Sequence, residues 1–314
     1  MTLIKPRVGL LMGPTAAGKS DLALALAERV PVSLISVDSV MVYRGLDIGT
    51  AKPDAATRAR HPHQLIDILE PTQSYSVAQF RRDALAAIHE AQSNGRFPLL
   101  VGGTMLYFHA LLQGLSSLPE ADPALRQRLE DERQRLGVVA LHQRLHSVDP
   151  VAAARIHPHD PQRVQRALEV FELTGRPLSQ HFAAQDMPSA PLGHTLQWIV
   201  APAQRADLHQ RIEQRFHQML RQGLIAEVVA LRERGDLNGQ QPALRAVGYR
   251  QVWQYIHGDC DHPTMITTSI QATRQLAKRQ LTWLRRMNAA QWLDSQQDQL
   301  VATLVKQIEA AQYV

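Results

Sequence analysis

The segment Gly13-Pro14-Thr15-Ala16-Ala17-Gly18-Lys19-Ser20 meets the pattern G-x-x-x-x-G-K-[ST] at every fixed position. Residues of these types at this spacing grip a pyrophosphate or polyphosphate. The glycines let backbone amides turn inward around phosphate oxygens, and the positive end of the helix that follows lies beneath them. Lys19 adds a point charge. The Ser20 hydroxyl suits Mg²⁺, a hard cation that takes its other oxygens from phosphates and water. The bland alternative is a glycine-rich turn with an incidental lysine, and the flanks argue against it. An apolar run over Val8–Met12 enters the loop and an apolar-periodic stretch over Ser20–Val30 leaves it, which is the strand-loop-helix context the pattern needs.

Four further groups of residues carry potential chemistry. Asp38-Ser39 follows the apolar run Leu34–Val37, and Gly102-Gly103-Thr104 follows Pro98–Val101. Arg211 and Arg215 lie one turn apart on a segment whose Leu208, Ile212, Phe216, Met219 and Leu220 make a buried helical stripe. From Arg274 to Arg286 there are five cations and no acid, with Arg274, Lys278 and Arg285 near one helical face. That face suits a polyanion, although a merely solvated helix surface has the same composition.

The first hundred residues alternate short β-rich runs with helical ones such as Val77–Ala91, which predicts an α/β fold built on a P-loop NTPase-like parallel sheet flanked by helices. Such sheets bind ligands at the carboxyl ends of their strands, so the phosphate loop, Asp38 and Thr104 should converge on one crevice. After Leu115 the pattern becomes helical. Asp122-Pro123 and Asp160-Pro161 each pair an N-cap with a proline at the first helical position. Leu125, Leu129 and Leu136 keep helical spacing after the first. Val164, Ala167, Leu168 and Phe171 do so after the second, ahead of a stop at Gly175. Strand character returns at Thr195–Val200. The division predicted is a core over 1–116 and 193–314 with an all-helical insertion over 117–192.

At 314 residues and 45% hydrophobic content, the chain is large enough for a substantial core. The 34 Lys+Arg against 29 Asp+Glu give a net charge of +5. A single cysteine, Cys260, excludes an internal disulfide and any zinc site built from two or more cysteines. No charge-free run of 18 apolar residues and no export leader is evident, so a cytoplasmic protein without membrane association is expected, a monomer by default.

The loop alone points to an ATP- or GTP-dependent kinase or NTPase. Hydrolases of that class carry an apolar strand ending in an acid that helps hold Mg²⁺, whereas the run PLLV ends in Gly102-Gly103-Thr104. The basic helix alone would also suit a non-catalytic RNA-binding module. Longer phrases decide between these readings: ISVDSVMVYRGLDIGTAKP from Ile35 to Pro53, LLVGGTMLYF from Leu99 to Phe108, DPVAAARIHPHDPQRVQRALEV from Asp149 to Val170, HQRIEQRFHQML from His209 to Leu220, RAVGYRQVW from Arg245 to Trp253, and ATRQLAKRQLTWLR from Ala272 to Arg285. In these, spread over nearly its whole length, the chain resembles the tRNA dimethylallyltransferases.

The resemblance implies transfer of a dimethylallyl group from dimethylallyl pyrophosphate to N6 of the adenine 3′-adjacent to the anticodon, position 37, in tRNAs reading codons that begin with U. Gly13, Pro14, Thr15, Ala16, Ala17, Gly18, Lys19 and Ser20 would then hold the donor pyrophosphate, with Mg²⁺ at Ser20. Asp38 would accept a proton from the adenine amine, whose lone pair is delocalised into the ring; an aspartate is ionised at neutral pH and can do so. Lys19 and Arg215 would stabilise the leaving pyrophosphate, with Arg211 as understudy. Thr104 would meet prenyl group and adenine. Contact with the tRNA anticodon stem-loop falls to Asp38, Ser39, Val40, Met41, Thr104, Arg126, Gln162, Arg163, Val164, Gln165, Arg166, Arg245, Ala246, Val247, Gly248, Tyr249 and Arg250. Met41 departs from the glutamine many relatives carry, and a methionine makes no side-chain amide contact. Some isopentenyltransferases act on free AMP or ATP; the insertion and the basic C-terminal stretch favour tRNA.

Overall fold

The computed structural model describes residues 8–115, 118–183 and 192–312. The elements, in order, are β1 Val8–Met12, α1 Lys19–Ala27, β2 Val32–Val37, α2 Ala55–Arg60, β3 His63–Gln64, α3 Val77–Ser93, β4 Phe97–Gly102 and α4 Met105–Gln113. A run of helices follows: α5 Pro123–Leu136, α6 Val138–Val148, α7 Pro150–Arg155, α8 Pro161–Thr174 and α9 Leu178–Ala183. The chain then forms β5 Thr195–Ala201, α10 Arg205–Gln222, α11 Leu224–Glu233, α12 Tyr249–Ile256, α13 His262–Leu284, β6 Gln291–Asp294 and α14 Leu300–Gln312. It divides into two compact units, one of residues 1–112 with 192–314 and the other of 113–191. The predicted start of the insertion, at 117, lies outside the described residues.

The first unit is built on a six-stranded parallel sheet in the order β3-β2-β4-β1-β5-β6. Its central strands are apolar throughout and buried on both faces, as parallel sheets require. One face packs Leu10, Ile35 and Leu100 on α3 and α4 through Phe80, Phe108 and Leu111. The other packs Leu11, Leu34 and Trp198 on α1 and α14 through Leu26 and Leu304. A third core, with Ile212, Phe216, Val228 and Tyr249, joins α10 to α13 and buries Val42, Tyr43 and Leu46 of the segment after β2. The polar strand ends Asp38, Gly103 and the phosphate loop all emerge at the carboxyl edge of the sheet, because β1 lies between β4 and β5 and β2 lies beside β4.

The helical unit has its own core of Leu125, Leu129, Leu141, Leu145, Val164 and Leu168. Both aspartate-proline starts form caps: Asp122 accepts from the Leu125 amide at 2.7 Å and Asp160 from the Arg163 amide at 3.1 Å. Gly175 ends α8 in the left-handed region, at φ 67°, where a side chain would be strained. Two predicted stripe positions differ. Leu136 is 53% exposed, because α5 ends there before Gly137 turns the chain. Phe171 is only partly buried, and the inward position nearby belongs to the charged Glu169.

Candidate functional site

The phosphate loop owes its shape to close packing on its neighbours. A Cβ on Gly13 would stand 2.2 Å from the Val200 carbonyl oxygen of β5, so only glycine fits there. Gly18 caps α1 with φ 89°, and Ala16 also adopts positive φ, at 61°, so successive amides face the same concavity. The Lys19 ammonium donates to the Pro14 carbonyl across the loop at 2.7 Å. Burial drives its pKa down to about 7; repulsion from Arg215 adds to the shift and attraction to Asp38 opposes it.

A cavity of about 180 Å³ opens from this loop, and its lining includes Lys19, Ser20, Asp38, Met41, Gly103 and Arg215. Asp38 ends β2. Its Oδ1 accepts the amides of Val40 at 2.8 Å and Met41 at 3.1 Å, fixing the turn and leaving Oδ2 for an incoming proton donor. The carboxylate thus serves both as a cap and as part of the cavity wall. Thr104 stands one strand over: its Oγ1 accepts the Ser39 amide at 3.1 Å, and its own amide donates to the Val37 carbonyl. The threonine therefore ties the ends of β2 and β4 together. Arg215 reaches the cavity from α10 and donates to the Thr50 carbonyl at 3.1 Å. Burial lowers its pKa, while Asp38 and Asp21 raise it. Arg211 points elsewhere, to the Ser295 hydroxyl at 3.0 Å, so the two arginines one turn apart are not interchangeable. The rest of the wall is mixed: Ile66, Ile212, Phe216 and Met219 give it an apolar side, and Thr15, Thr50, His63, Thr273 and Gln280 line it as well.

Cations, a carboxylate and an apolar wall on one cavity suit an anionic leaving group attached to a hydrocarbon. Comparison with known proteins agrees. Residues 41–287 match the family model described as IPP transferase, and residues 6–60 match one described as isopentenyl transferase. A tRNA dimethylallyltransferase of Alkalilimnicola ehrlichii is 61% identical over 295 residues, covering 93% of this chain and 92% of the relative. The chain belongs to the tRNA dimethylallyltransferase family. Solved structures of similar shape include the full-length tRNA isopentenylpyrophosphate transferase of Bacillus halodurans, with TM-score 0.71, 36% identity and coverage of 98% of this chain and 97% of that one. The tRNA isopentenylpyrophosphate transferase of Staphylococcus epidermidis has TM-score 0.68, 32% identity and 98% coverage of both chains. A eukaryotic dimethylallyltransferase acting on tRNA superposes with TM-score 0.76 at 25% identity, covering 95% of this chain and 76% of that one.

Against that family assignment, the residues expected to meet tRNA fall into two groups. In the first unit Met41 lines the cavity, and its sulfur accepts the Ser36 hydroxyl at 3.9 Å, a packing role in place of an amide contact. Ser39, Arg245 and Arg250 are exposed, while Val40, Ala246 and Val247 are half-buried on the cavity wall. Gly248, also on that wall, starts α12 at φ 93°. Tyr249 borders the cavity too, but its side chain is buried, packed on Gly49, with its hydroxyl donating to Glu227 at 2.5 Å. In the helical unit, Gln162 and Arg163 are exposed, and Gln165 donates to the Arg126 carbonyl at 2.8 Å. Val164 packs in the core there. Arg126 and Arg166 both grip the buried Glu169, at 2.9 and 2.7 Å. Along α13, Arg274 pairs with Glu213 at 2.8 Å, whereas Lys278 and Arg279 are exposed, as are Arg285 and Arg286 just past its end.

Four supporting residues escaped the sequence reading. Gln280, in the basic stretch, accepts the Thr15 amide at 2.9 Å and donates to the Gly103 carbonyl at 2.9 Å, linking the phosphate loop to the end of β4. Lys52 is buried, donating to the Tyr43 carbonyl, Asp47 and Asp67. Glu169 and Glu227 each neutralise a cluster of donors. The one local signal was a carboxylate inside an apolar stretch, as at Glu169 between Leu168 and Val170.

Proposed function

We propose that the chain carries out its family's reaction in its specific form: transfer of the dimethylallyl group of dimethylallyl pyrophosphate to N6 of the adenine at position 37, 3′-adjacent to the anticodon, in tRNAs reading codons that begin with U. The bond from the allylic carbon to the pyrophosphate oxygen breaks as the bond to N6 forms. The N6 proton passes to Asp38, and pyrophosphate leaves. The observation that carries this reading is the convergence of Lys19, Asp38 and Arg215 on one cavity that also has an apolar side formed by Ile66, Ile212, Phe216 and Met219.

Each group has a physical role. Lys19 and Arg215 meet the charge that builds on the departing pyrophosphate, and in a partly desolvated pocket that interaction is stronger than in water. Ile66, Phe216 and Met219 supply the surface a five-carbon chain needs. Asp38 Oδ2 accepts the proton, and Thr104 sets the strand end from which it does so. Among the described residues no cluster of three acids or histidines is ready to hold a metal. The exposed Ser20 hydroxyl at the start of α1 suits Mg²⁺, which relies on substrate phosphates and water and would help neutralise the leaving group. The target base must leave its stack to enter the cavity. Arg126, Gln162, Arg163 and Arg166, with the exposed cations of α13, then hold the anticodon stem-loop. The enzyme works as a cytoplasmic monomer; no helix among the described residues is long and apolar enough to cross a membrane.

Incubation with labelled dimethylallyl pyrophosphate, Mg²⁺ and unmodified tRNA should label adenine 37. Labelling of AMP but not tRNA would show a free-nucleotide enzyme instead, and ATP turnover without transfer would show an NTPase.

A further inference from the structure

We infer that Glu227 is a positioning residue for the pyrophosphate side of the reaction, setting Arg215 through the turn at residues 47–50. The inference rests on the reading of Arg215 as a contact of the donor pyrophosphate. Glu227 lies in the first turn of α11, and its carboxylate reaches across to the segment that follows β2. Oε2 accepts the amides of Asp47 at 3.1 Å and Ile48 at 2.7 Å. Oε1 accepts the Gly49 amide at 3.2 Å and the Tyr249 hydroxyl at 2.5 Å. Three successive backbone N–H groups wrapped around one anion form the kind of nest that binds phosphates elsewhere; here the anion is a side chain of the same protein.

The consequence lies one residue further on. Next to the held amides of 47, 48 and 49, the Thr50 hydroxyl donates to the Leu46 carbonyl at 2.8 Å and Arg215 donates to the Thr50 carbonyl at 3.1 Å. The turn also lies flat on the Tyr249 ring: a Cβ on Gly49 would stand 2.5 Å from that ring, so a glycine is required for the approach. The chain of contacts runs from Glu227 to the turn, from the turn to Thr50, and from Thr50 to the guanidinium in the cavity.

A purely structural role explains this arrangement less well. Val42, Tyr43 and Leu46 already anchor the segment in an apolar cluster with Leu224, Val228 and Leu231 of α11, and Lys52 clips its far end to Tyr43 and Asp47. Adhesion of the segment to α11 therefore does not need a charged group. A carboxylate adds direction, since charge-assisted bonds to three amides fix the peptide planes as well as the position of the turn.

The test is steady-state kinetics of the full chain with dimethylallyl pyrophosphate and unmodified tRNA, for Glu227→Gln, Arg215→Ala and the double variant, with thermal melts alongside. Glutamine keeps the shape but offers one acceptor oxygen and sets an NH₂ group against N–H donors. The donor KM of Glu227→Gln should rise about tenfold, while the tRNA KM stays within about twofold. In the Arg215→Ala background the same change should add less than about twofold, because a residue acting through Arg215 has nothing left to position. Additive effects would overturn the positioning role while leaving Arg215 as a pyrophosphate contact. An Arg215→Ala protein with unchanged donor KM and kcat would remove both roles. Should Glu227→Gln not fold, Glu227→Asp carries the test: its shorter reach must raise the donor KM, and an unchanged value overturns the inference.

Discussion

The cations at the cavity of the first unit and those at the heart of the helical unit are held in opposite ways. Around the cavity of the first unit, Lys19 and Arg215 donate to backbone carbonyls, of Pro14 and Thr50, and burial pushes both of their pKa values down. In the helical unit, Arg126 and Arg166 share the buried carboxylate of Glu169, and Arg144 pairs with Glu132 and Glu172. A carbonyl directs a cation without cancelling its charge; a carboxylate directs it and cancels much of it. The difference matches the two tasks. A leaving pyrophosphate concentrates charge at one point and rewards cations with no carboxylate partner, whereas RNA spreads phosphates and bases over a surface and rewards guanidiniums held in a fixed orientation.

The largest test of this contrast removes the base between the two cavity cations. Asp38→Ala should cut the single-turnover rate by about 10²- to 10⁴-fold, the range for a positioned general base, with tRNA binding largely intact. A normal rate would take Asp38 out of the mechanism. Lys19→Ala should lose about 10²-fold in kcat/KM for the donor, weakening binding and rate together. An unchanged donor affinity would mean that the cavity cations do not serve the pyrophosphate.

The pH dependence follows from the same desolvation. With the Lys19 pKa at about 7 in the free protein, the ammonium is lost as pH rises through that value, and a bound pyrophosphate favours its return. Donor kcat/KM should therefore be level below about pH 7 and fall by up to about tenfold per unit above it, and Lys19→Arg should abolish the inflection. For folding the sign is the reverse. The unfolded chain keeps that proton up to the ordinary lysine value of 10.5, so Lys19 makes the protein more stable as pH rises from about 7 toward 10.5.

In the helical unit, Glu169→Gln should weaken tRNA binding about tenfold and leave the donor KM unchanged, although it removes a negative charge. Tighter binding on loss of that charge would show that Arg126 and Arg166 act by net charge alone, and the contrast between the units would dissolve. The smallest effect is expected at an exposed cation with no fixed partner. Arg286→Ala should reduce the salt dependence of tRNA binding by about one unit of log-log slope without changing which tRNAs are modified.

Much of this was legible in the chain because it is local. The strand over Val8–Met12, the loop after it and the aspartate-proline caps at 122 and 160 are set by neighbours within a few residues. The rule that parallel sheets bind at their carboxyl edge foretells the meeting of Asp38, the end of β4 and the loop on one cavity, although Thr104, expected with them, is not among the residues lining it. The errors came where helical spacing was asked to predict burial. Leu136 sits exposed at a helix end, and Phe171 is only partly buried.

Residue types and their spacing set the chemistry available: a phosphate-gripping loop, a carboxylate at a strand end, arginines at helical spacing and a basic helical stretch. Tertiary structure alone decided which of these are primed and which are restrained. Arg211 and Arg215 are equivalent as spacing, yet one meets Ser295 and the other enters the cavity. Gln280 is one polar residue among many until folding sets it against a loop 265 positions away, and Glu227 is an ordinary helix-surface acid until its carboxylate meets a turn 178 to 180 positions earlier. Hydrogen bonds at such separations leave no periodic trace, because the side chain's direction and its partner's approach are fixed only when the cores between them close.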